Sequence, residues 1–182
     1  LAVYFATANK RGYNVPFGLG QYADFKDPTT YMIYAQQGGL GLPDREYYLK
    51  DDEKSQALRE QYVAHIEAMF ALAGLPDGAA AAQTIMALEL RMAKEHMRKE
   101  DTRDMVALYK KIPLTELGDL MPKFNWDGYL AEAGLQNLDG LVVMMRDHMR
   151  ALDEIIVDTD LGTWKTYLKW CVLNATAGLL SE

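Results

Sequence analysis

The 182-residue sequence has a single cysteine, Cys171, so no disulfide within the chain can support the fold. A chain of this length buries roughly 70% of its unfolded surface and does not need disulfides or a metal to fold. Basic residues are outnumbered, 19 against 26 acidic ones, and the formal net charge of −7 disfavours nucleic acids and anionic membranes as partners. No apolar run reaches the ~20 residues of a membrane helix, and the most apolar segment, residues 161–180, contains Lys165 and Lys169. The sequence therefore predicts neither a nucleic-acid-binding protein nor a membrane span.

The motif H-E-x-x-H, in which two histidines bind zinc and the glutamate acts as general base, is absent from the sequence. The three histidines, His65, His96 and His148, are 31 and 52 residues apart, so we predict ordinary helix residues rather than ligands. Cys171 lies on an apolar helix face with no histidine nearby in sequence, which is typical of a structural thiol. The sequence thus predicts no catalytic residue, no cofactor-binding residue and no metal ligand within the chain.

Other patterns that resemble functional motifs have structural explanations. Residues 18–23 match the dinucleotide fingerprint G-x-G-x-x-A, but the fingerprint needs a helix directly afterwards, and a turn at residues 27–28 follows instead. We predict a flexible or bulged strand there. The acidic groups at residues 51–53 and at Asp158 and Asp160 are placed before predicted helices, where they complement the helix dipole. The ten methionines are spread over several helices and indicate core filling.

The order of patterns along the chain predicts a mainly α fold, a multi-helix domain with one β-hairpin near the N-terminus. Aromatic and β-branched residues flank a turn within residues 15–37, which favours the hairpin. Residues 38–43 are too rich in glycine for regular structure and predict a shaped loop. Apolar residues then recur at helical spacing over residues 52–182.

Helical spacing also predicts which side chains are buried. The shorter predicted elements are helices at residues 1–8, 105–110, after 115, 126–133 and 147–157, and an extended segment at 141–145. The predicted buried positions of the long helices are Leu58, Tyr62, Ile66, Met69 and Ala73 on the first, Ala81, Ile85, Leu88 and Met92 on the second, and Leu161, Trp164, Leu168, Cys171, Ala175 and Leu179 on the last. We expect Asp77 to cap the second of these helices and Asp160 to cap the last. The first two should pack against each other across a short Gly-Pro turn.

The loop Gln37-Gly38-Gly39-Leu40-Gly41-Leu42-Pro43-Asp44-Arg45-Glu46-Tyr47-Tyr48-Leu49 resembles a hallmark of the neprilysin and endothelin-converting-enzyme family of zinc metallopeptidases. Further matches follow in the family's order, at residues 24–27, 88–93, 103–104, 108–109, 125–126, 141–143 and 161–181. The resemblance therefore covers nearly the whole chain.

The resemblance implies that residues 1–182 are a single fragment of the amino-terminal family domain. The chain does not begin with methionine, and its last apolar pattern still runs at Leu179 and Leu180, so we expect a longer parent protein. In that family the zinc ligands and catalytic glutamate lie in a carboxy-terminal domain beyond this chain, and a substrate-contacting arginine lies before Leu1. None of these has a position here, so we expect no cofactor in this fragment.

For the parent enzyme, the resemblance implies hydrolysis of oligopeptides by a zinc-activated water with a glutamate as general base. It implies that the fragment alone is inactive and helps to enclose the substrate chamber, with the carboxy-terminal catalytic domain and peptide substrates as partners. Two departures are present: Lys110 replaces an asparagine that is usual in the family, and the disulfide cysteines of the animal members are missing. The second points to a bacterial relative, extracellular or periplasmic.

We expect residues 39–48 to give structural support, with direct substrate contact as the alternative. Several glycines allow positive φ, and Pro43 fixes the exit of the loop. Tyr47 and Tyr48 can bury their rings while their hydroxyls reach water. For the chain as a whole, the competing hypothesis is a helical protein-interaction module with no enzymatic role, which binds partners through the hairpin and the buried-helix surface. A downstream H-E-x-x-H in the same reading frame would support the peptidase, and a stop codon near Glu182 the module.

Overall fold

The computed structural model describes residues 1–179, which form nine α-helices, three short 3₁₀ turns and a four-stranded sheet. The helices are α1 (Ala2–Lys10), α2 (Glu46–Leu49), α3 (Glu53–Leu72), α4 (Gly78–Glu95), α5 (Met105–Leu108), α6 (Leu117–Leu120), α7 (Trp126–Ala133), α8 (Arg146–Asp158) and α9 (Leu161–Thr176). The strands are β1 (Phe17–Ala23), β2 (Tyr31–Gln37), β3 (Lys111–Pro113) and β4 (Gly140–Val143). The predicted mainly α fold is confirmed. The pattern expected at Leu180 lies outside the described residues.

The predicted hairpin near the N-terminus is confirmed. Strands β1 and β2 pair antiparallel, with Phe17 opposite Gln37 and Ala23 opposite Tyr31. The predicted extended segment becomes β4, which pairs parallel with β2 and antiparallel with β3, so the sheet order is β1-β2-β4-β3. Strand β3 is only three residues long, and no sequence pattern predicted it. The sheet joins the hairpin to the helical region.

The first long helix, α3, begins and ends by recognisable signals. The Asp52 carboxylate accepts a hydrogen bond from the Ser55 backbone N–H, and Gly74 adopts a positive φ of 65° just after the helix. Its predicted buried face is correct in the middle and wrong at the end. Phe70 is buried instead of Ala73, which is exposed, because the chain turns there toward the next helix.

Helix α4 buries the four predicted side chains and packs against α3 as predicted. The predicted cap is wrong. Asp77 precedes the helix with a φ of 59°, and its carboxylate makes no capping hydrogen bond. This left-handed residue turns the chain between the helices, and the turn geometry takes the place of the side-chain cap.

The last helix, α9, begins as predicted, with the Asp160 carboxylate accepting from the Thr163 backbone N–H at 3.0 Å. Its middle is buried, and α4 packs against it. The predicted stripe is wrong at both ends, since the packing covers only the middle of the helix. The exposed members are Leu161, Ala175 and Leu179, and the buried residues of the helix are Trp164, Tyr167, Leu168, Trp170 and Cys171.

An aromatic cluster joins the N-terminal elements to the end of the chain. The Phe5 ring of α1 lies 6.2 Å from Phe17 of β1 and 5.5 Å from Trp164 of α9. Tyr129 of α7 lies 5.2 Å from Phe17. The two Phe5 pairs are edge-to-face, and such pairs add to the free energy gained by burying the rings. Across residues 1–179, no helix is long and apolar enough to cross a membrane.

Candidate functional site

The glycine-rich loop, residues 38–45 between β2 and α2, is anchored by hydrogen bonds from several elements. The Asn14 side chain binds it twice, accepting from the Gly39 N–H at 2.7 Å and donating to the Leu40 carbonyl at 2.8 Å. Tyr167 of α9 donates its hydroxyl to the Gly39 carbonyl at 2.7 Å. Gly39 has a φ of 87°, and a Cβ there would lie 2.8 Å from the Pro16 Cα. Only glycine fits this position without strain.

Of the loop glycines, which all allow positive φ, Gly39 is the one that adopts it. The other two are needed for close approach. A Cβ at Gly38 would lie 2.7 Å from the Val15 carbonyl, and a Cβ at Gly41 would overlap the Tyr62 hydroxyl. The repeated glycines therefore reflect packing against neighbouring elements more than backbone conformation.

Beneath the loop, a buried carboxylate on α4 collects hydrogen bonds from three different elements. Glu89, which is 1% exposed, accepts from the Tyr48 hydroxyl of α2 and from the Tyr62 hydroxyl of α3, the latter at 2.9 Å. It also accepts from the Gly41 backbone N–H at 3.2 Å. Glu89 on α4 thus links the glycine-rich loop, α2 and α3.

The two phenols are themselves oriented by other donors. The Leu42 N–H donates to the Tyr48 oxygen at 2.9 Å, and the Trp170 indole N–H donates to the Tyr62 oxygen at 2.8 Å. Each hydroxyl hydrogen is therefore directed at Glu89. The Tyr48 hydroxyl lies within this network, so the expectation that it reaches water is wrong.

Burial dominates the electrostatics of this network. Removal from water raises the pKa of Glu89 to about 7, against the opposing effect of its three hydrogen-bond donors. Burial and the nearby carboxylate raise the pKa of Tyr48 and of Tyr62 well above the usual value. Both phenols remain protonated donors, and Glu89 is the one group here that changes charge near neutral pH.

A second anchor of the loop consists of two histidines that are remote in sequence. His96 Nε2 lies 3.0 Å from the Gly38 carbonyl, and His148 Nε2 lies 3.0 Å from the Pro16 carbonyl. Their ring centroids are 4.5 Å apart, and the Gly38 N–H donates to the Pro16 carbonyl at 3.1 Å. The pair therefore holds the base of the hairpin against the start of the loop.

Burial also sets the protonation of these rings. It lowers the pKa of His96 to about 3, with the adjacent His148 adding to the effect, and it lowers the pKa of His148 as well. Both rings are neutral at physiological pH. The predicted placement in helices is correct for His65 and His148, which lie in α3 and α8, but His96 follows the end of α4 in extended conformation.

Neither this pair nor the rest of residues 1–179 fits the zinc that the family resemblance implies for the parent enzyme. No three His, Cys, Asp or Glu side chains within this range are grouped so as to hold a metal ion. The Nε2 atoms of His96 and His148 face backbone carbonyls. The Cys171 thiol is buried, and its burial raises the pKa to about 12, so the thiolate that metals bind is absent at neutral pH.

The remaining motifs take structural positions. The segment that matches the dinucleotide fingerprint lies in β1, and the hairpin turn and β2 follow it instead of a helix. Asp52 and Asp160 precede helices as predicted, whereas Asp158 is the last residue of α8. The predicted disposition of the acidic groups is therefore correct except at Asp158.

A pocket of about 330 Å³ opens beside the loop, lined by Arg45, His96, Lys99 and Thr102 among others. The Arg45 guanidinium donates to the His96 backbone carbonyl, which joins the end of the loop to the end of α4. The polar side chains that line this pocket hold the backbone in place. The arrangement provides shape and rigidity and no nucleophile activated by a base.

The family model described as Peptidase family M13 matches residues 1–182. The chain is 28% identical over 171 residues to mouse Endothelin-converting enzyme-like 1, an alignment that covers 91% of this chain and 22% of that protein. It is 28% identical over 187 residues to Drosophila melanogaster Neprilysin-3, with 96% of this chain and 24% of that protein covered. The chain therefore spans about a quarter of the length of these relatives.

Solved structures give a similar result. The Mycobacterium tuberculosis zinc metalloprotease Zmp1, solved in complex with an inhibitor, superposes with a TM-score of 0.91 at 28% identity, covering 100% of this chain and 28% of that one. PepO from Lactobacillus rhamnosis superposes with a TM-score of 0.74 at 18% identity, which supports the fold alone.

Proposed function

The chain belongs to peptidase family M13, and from that membership we propose that it is the non-catalytic part of a zinc metalloendopeptidase that hydrolyses oligopeptides. The resemblance to the neprilysin and endothelin-converting-enzyme family is confirmed by the match of the family over residues 1–182. The single observation that carries the proposal is the agreement in fold along the whole chain with a zinc metalloprotease, at a TM-score of 0.91.

The non-catalytic assignment rests on the chemistry of the side chains present. Within residues 1–179 no three potential ligands are grouped, and the buried histidines already face backbone carbonyls. We assign the zinc, the catalytic glutamate and the arginine that contacts substrate to parts of the polypeptide outside this segment. Residues 1–182 are then a single fragment of the amino-terminal domain, and the carboxy-terminal catalytic domain is its partner.

Enclosure of the substrate chamber is the role we propose for this segment. A wall that excludes water and folded proteins must keep its shape while peptides enter and leave. The glycine-rich loop meets this requirement, since Asn14, Glu89, Tyr167 and the pair of His96 and His148 hold it from several sides. The location of the enzyme that fits the family resemblance is extracellular or periplasmic.

The direct test uses the full polypeptide that contains this sequence. We expect it to bind about one zinc per chain and to cleave short fluorogenic peptides, to lose activity with a chelator and to regain it with zinc. Folded proteins should be resistant, while the same proteins unfolded and cut into short peptides should be hydrolysed. Failure to cleave any peptide with zinc bound would contradict the peptidase assignment, and cleavage by residues 1–182 alone would contradict the non-catalytic one.

The alternative, a helical interaction module, is favoured by one observation. The hairpin exposes the rings of Tyr22, Phe25 and Tyr31, the last of which is 69% exposed. Aromatic rings are enriched in protein interfaces. Full peptidase activity of the polypeptide after all three rings are replaced by serine would exclude a role of this surface in catalysis, and binding of a separate protein that the same variant loses would support the module.

A further inference from the structure

The sheet has one long edge without a partner. Its order, β1-β2-β4-β3, makes β1 (Phe17–Ala23) and β3 (Lys111–Pro113) the two outer strands. Strand β1 pairs with β2 along one side, and within residues 1–179 no strand pairs with its other side. A row of unpaired backbone groups on an outer strand is a template for the addition of a further strand.

Two hydrogen bonds at the ends of the hairpin establish which backbone groups of β1 face β2. The Asp24 N–H donates to the Thr30 carbonyl at 2.9 Å, and the Gly38 N–H donates to the Pro16 carbonyl at 3.1 Å. Both bonds continue the register in which β1 pairs with β2. Because alternate residues of an antiparallel strand bond to the partner strand, the even-numbered residues of β1 direct their N–H and C=O groups at β2.

The odd-numbered residues of β1 therefore direct their backbone groups outward. Beyond the buried start of the strand these residues are Leu19, Gln21 and Ala23. Leu19 is half-buried, and Gln21 and Ala23 are exposed. No hydrogen bond from residues 1–179 reaches their backbone N–H or C=O groups. The outer edge of β1 is thus open over residues 19–23.

The two edges of the sheet differ in their protection against pairing. Strand β3 is three residues long and has Lys111 and Pro113 at its ends. Short length, lysine and proline are devices that prevent a further strand from adding to an edge. Strand β1 has seven residues, none of them proline or charged, and its register with β2 runs without a bulge. The sequence therefore blocks one edge and leaves the other able to pair.

We infer that the outer edge of β1, defined by the backbone of residues 19–23, is a binding site for an extended, uncharged segment of a peptide substrate, which adds to the sheet as a fifth strand. The inference rests on the proposed function, because an oligopeptide is the partner whose backbone groups are free to pair. Main-chain hydrogen bonds supply the affinity in this mode of recognition. The bound segment is remote from the cleaved bond, since we assign the catalytic groups to parts of the polypeptide outside this segment.

The glycines of β1 indicate which side chains the added strand carries. A Cβ at Gly18 would meet no atom within 4 Å, whereas the Tyr22 ring already covers Gly20, where a Cβ would lie 2.5 Å from a ring carbon. A large side chain on a neighbouring strand can cover a glycine at the edge of a sheet. The substrate residue beside Gly18 should therefore be aromatic or β-branched, and such residues also favour the extended conformation.

A second copy of the chain is a poorer occupant of this edge. Two copies, each with a net charge of −7, repel each other at long range. An uncharged peptide meets no such barrier, and β1 itself contributes no charged side chain to the contact. Pairing of two copies is accordingly one of the outcomes that the following experiment separates from peptide binding.

Residue-resolved hydrogen exchange of the full polypeptide tests the pairing. Before peptide is added, the amides of Leu19, Gln21 and Ala23 should exchange rapidly and those of Gly20 and Tyr22 slowly, because only the latter are bonded to β2. The probe is a capped peptide of about eight residues that alternates threonine and valine. At millimolar concentration, and at labelling times shorter than its hydrolysis, it should slow exchange of the three outward amides at least tenfold.

Three outcomes of this measurement would overturn the inference. Slow exchange of the outward amides before the probe is added would show that another part of the polypeptide already covers the edge. Slow exchange that depends on the protein concentration would show pairing of two copies. Unchanged exchange at millimolar probe would show that the edge does not bind an extended peptide.

A pair of substitutions at Gln21 tests the role of the backbone. Gln21→Pro removes an outward N–H that β2 does not use, and the preceding Gly20 tolerates a following proline. It should weaken binding of the probe at least tenfold, while slow exchange at Gly20 and Tyr22 shows that the hairpin remains folded. Gln21→Thr loses the same side chain but keeps the N–H, and it should bind the probe within twofold of the unsubstituted protein. Equal binding by the two variants would overturn the inference.

Methylation of the probe leaves the protein unchanged. N-methyl groups on every second residue block one edge of the extended peptide and leave the other edge free, so this probe should still bind. N-methyl groups on consecutive residues block both edges and should abolish binding. Equal binding of the two methylated probes would show that side chains hold the peptide, which would overturn the inference.

The result for the edge of β1 can be distinguished from the result for the proposed function. A polypeptide that binds the probe along β1 but cleaves no peptide would keep the binding site and lose the peptidase assignment. An active peptidase whose KM for every peptide is unchanged by Gln21→Pro would keep the peptidase assignment and lose the substrate site on β1.

Discussion

Tyr48 donates a hydrogen bond to Glu89 in the interior of the protein, although the two residues are 41 positions apart in the chain. Tyr48 follows the glycine-rich loop, and Glu89 lies in the middle of α4. The contact connects α2, directly after that loop, to the buried face of α4 through an ionisable group that is almost fully removed from water. The stability of the loop should therefore depend on pH.

Glu89→Gln should change the pH dependence of stability. The pKa of Glu89 in the folded protein, about 7, is above its ordinary value of 4.5. Its contribution to stability is therefore complete below pH 4.5 and is lost as the pH rises through 7. The difference in free energy of unfolding, Glu89→Gln minus the unsubstituted protein, should therefore rise by about 2 to 3 kcal/mol between pH 5 and pH 8. Urea titrations at the two pH values measure it.

The matched control is Glu60→Gln on the exposed side of α3. The difference in free energy of unfolding between this variant and the unsubstituted protein should be the same at both pH values, within about 0.5 kcal/mol. If Glu89→Gln also showed a constant difference, Glu89 would not carry a shifted pKa, and the account of the buried network would be wrong.

The histidine pair should produce a pH dependence of the opposite sign. Burial lowers the pKa of both His96 and His148 below the ordinary value of 6.5. Their contribution is complete above pH 6.5 and is lost as the pH falls below it. In the Glu89→Gln background, the free energy of unfolding should decrease as the pH falls below 6.5, and His96, whose pKa is about 3, should account for up to about 1.4 kcal/mol per pH unit between pH 6.5 and 4.5.

Urea titrations in 0.5-unit steps of pH would measure that slope, and nuclear magnetic resonance of the imidazole rings would identify its source. The His96 ring should remain neutral in the folded protein at pH 5, and the His148 ring should become protonated only below its ordinary pKa. A ring that becomes protonated above pH 6 without loss of stability would show that the pair does not hold the hairpin and the loop together in the manner described.

Gly41→Ala tests the close approach of the loop to α3. A Cβ at this position overlaps the Tyr62 hydroxyl, which is committed to Glu89 and Trp170. Since the phenol cannot move without breaking both hydrogen bonds, we expect a loss of about 2 to 4 kcal/mol. In Gly18→Ala the new Cβ meets no atom within 4 Å, and the loss should stay under about 1 kcal/mol. Thermal and urea unfolding compare them, and equal losses would contradict the proposed packing.

The buried face of α9 gives a further prediction. Leu168→Asp would replace a buried apolar side chain by a carboxylate that loses most of its hydration, and should cost several kcal/mol, enough to unfold a marginally stable domain. Lys165→Glu in residues 1–182 changes an exposed side chain and should cost less than about 0.5 kcal/mol. Thermal melts of the two variants decide the matter, and similar melting temperatures would mean that the helix face is misassigned.

Sequence patterns predicted the features that depend on interactions between residues close together in the chain. The cap at Asp160, the acidic group before α3 and the face of α4 at Ile85 follow from neighbouring residues within one or two turns. The errors at Asp77 and Leu161 arose where the packing of whole elements decided the outcome. A left-handed turn residue replaced a cap in one case, and the end of a packed region exposed an apolar side chain in the other.

The anchors of the loop could not be predicted in the same way. His96 and His148 are 52 residues apart, and Glu89 reads in sequence as one of the charged residues of α4, beside Arg91 and Lys94. The family resemblance included Glu89 within residues 88–93 and Tyr48 within residues 37–49, but no spacing rule indicates that the two side chains meet. Long-range contacts between polar groups require the tertiary structure.

The loop could serve catalysis either as structural support or by direct contact with substrate. Two kinds of variant in the full polypeptide distinguish these two roles. Tyr48→Phe removes a buried hydroxyl that accepts from Leu42 and donates to Glu89. Pro43→Ala and Asp44→Asn alter side chains at the outer part of the loop.

If the loop is a support, Tyr48→Phe should lower the free energy of unfolding by about 1 to 3 kcal/mol. The outer variants should then leave KM for a panel of short peptides within about twofold of that of the unsubstituted protein, a difference of under ~0.5 kcal/mol. If the loop binds substrate, an outer variant should raise KM at least tenfold, or about 1.4 kcal/mol, at unchanged stability. We expect the first result, because the contacts that define the loop point inward to Asn14, Glu89 and Tyr167, and a tenfold rise in KM for Asp44→Asn would refute it.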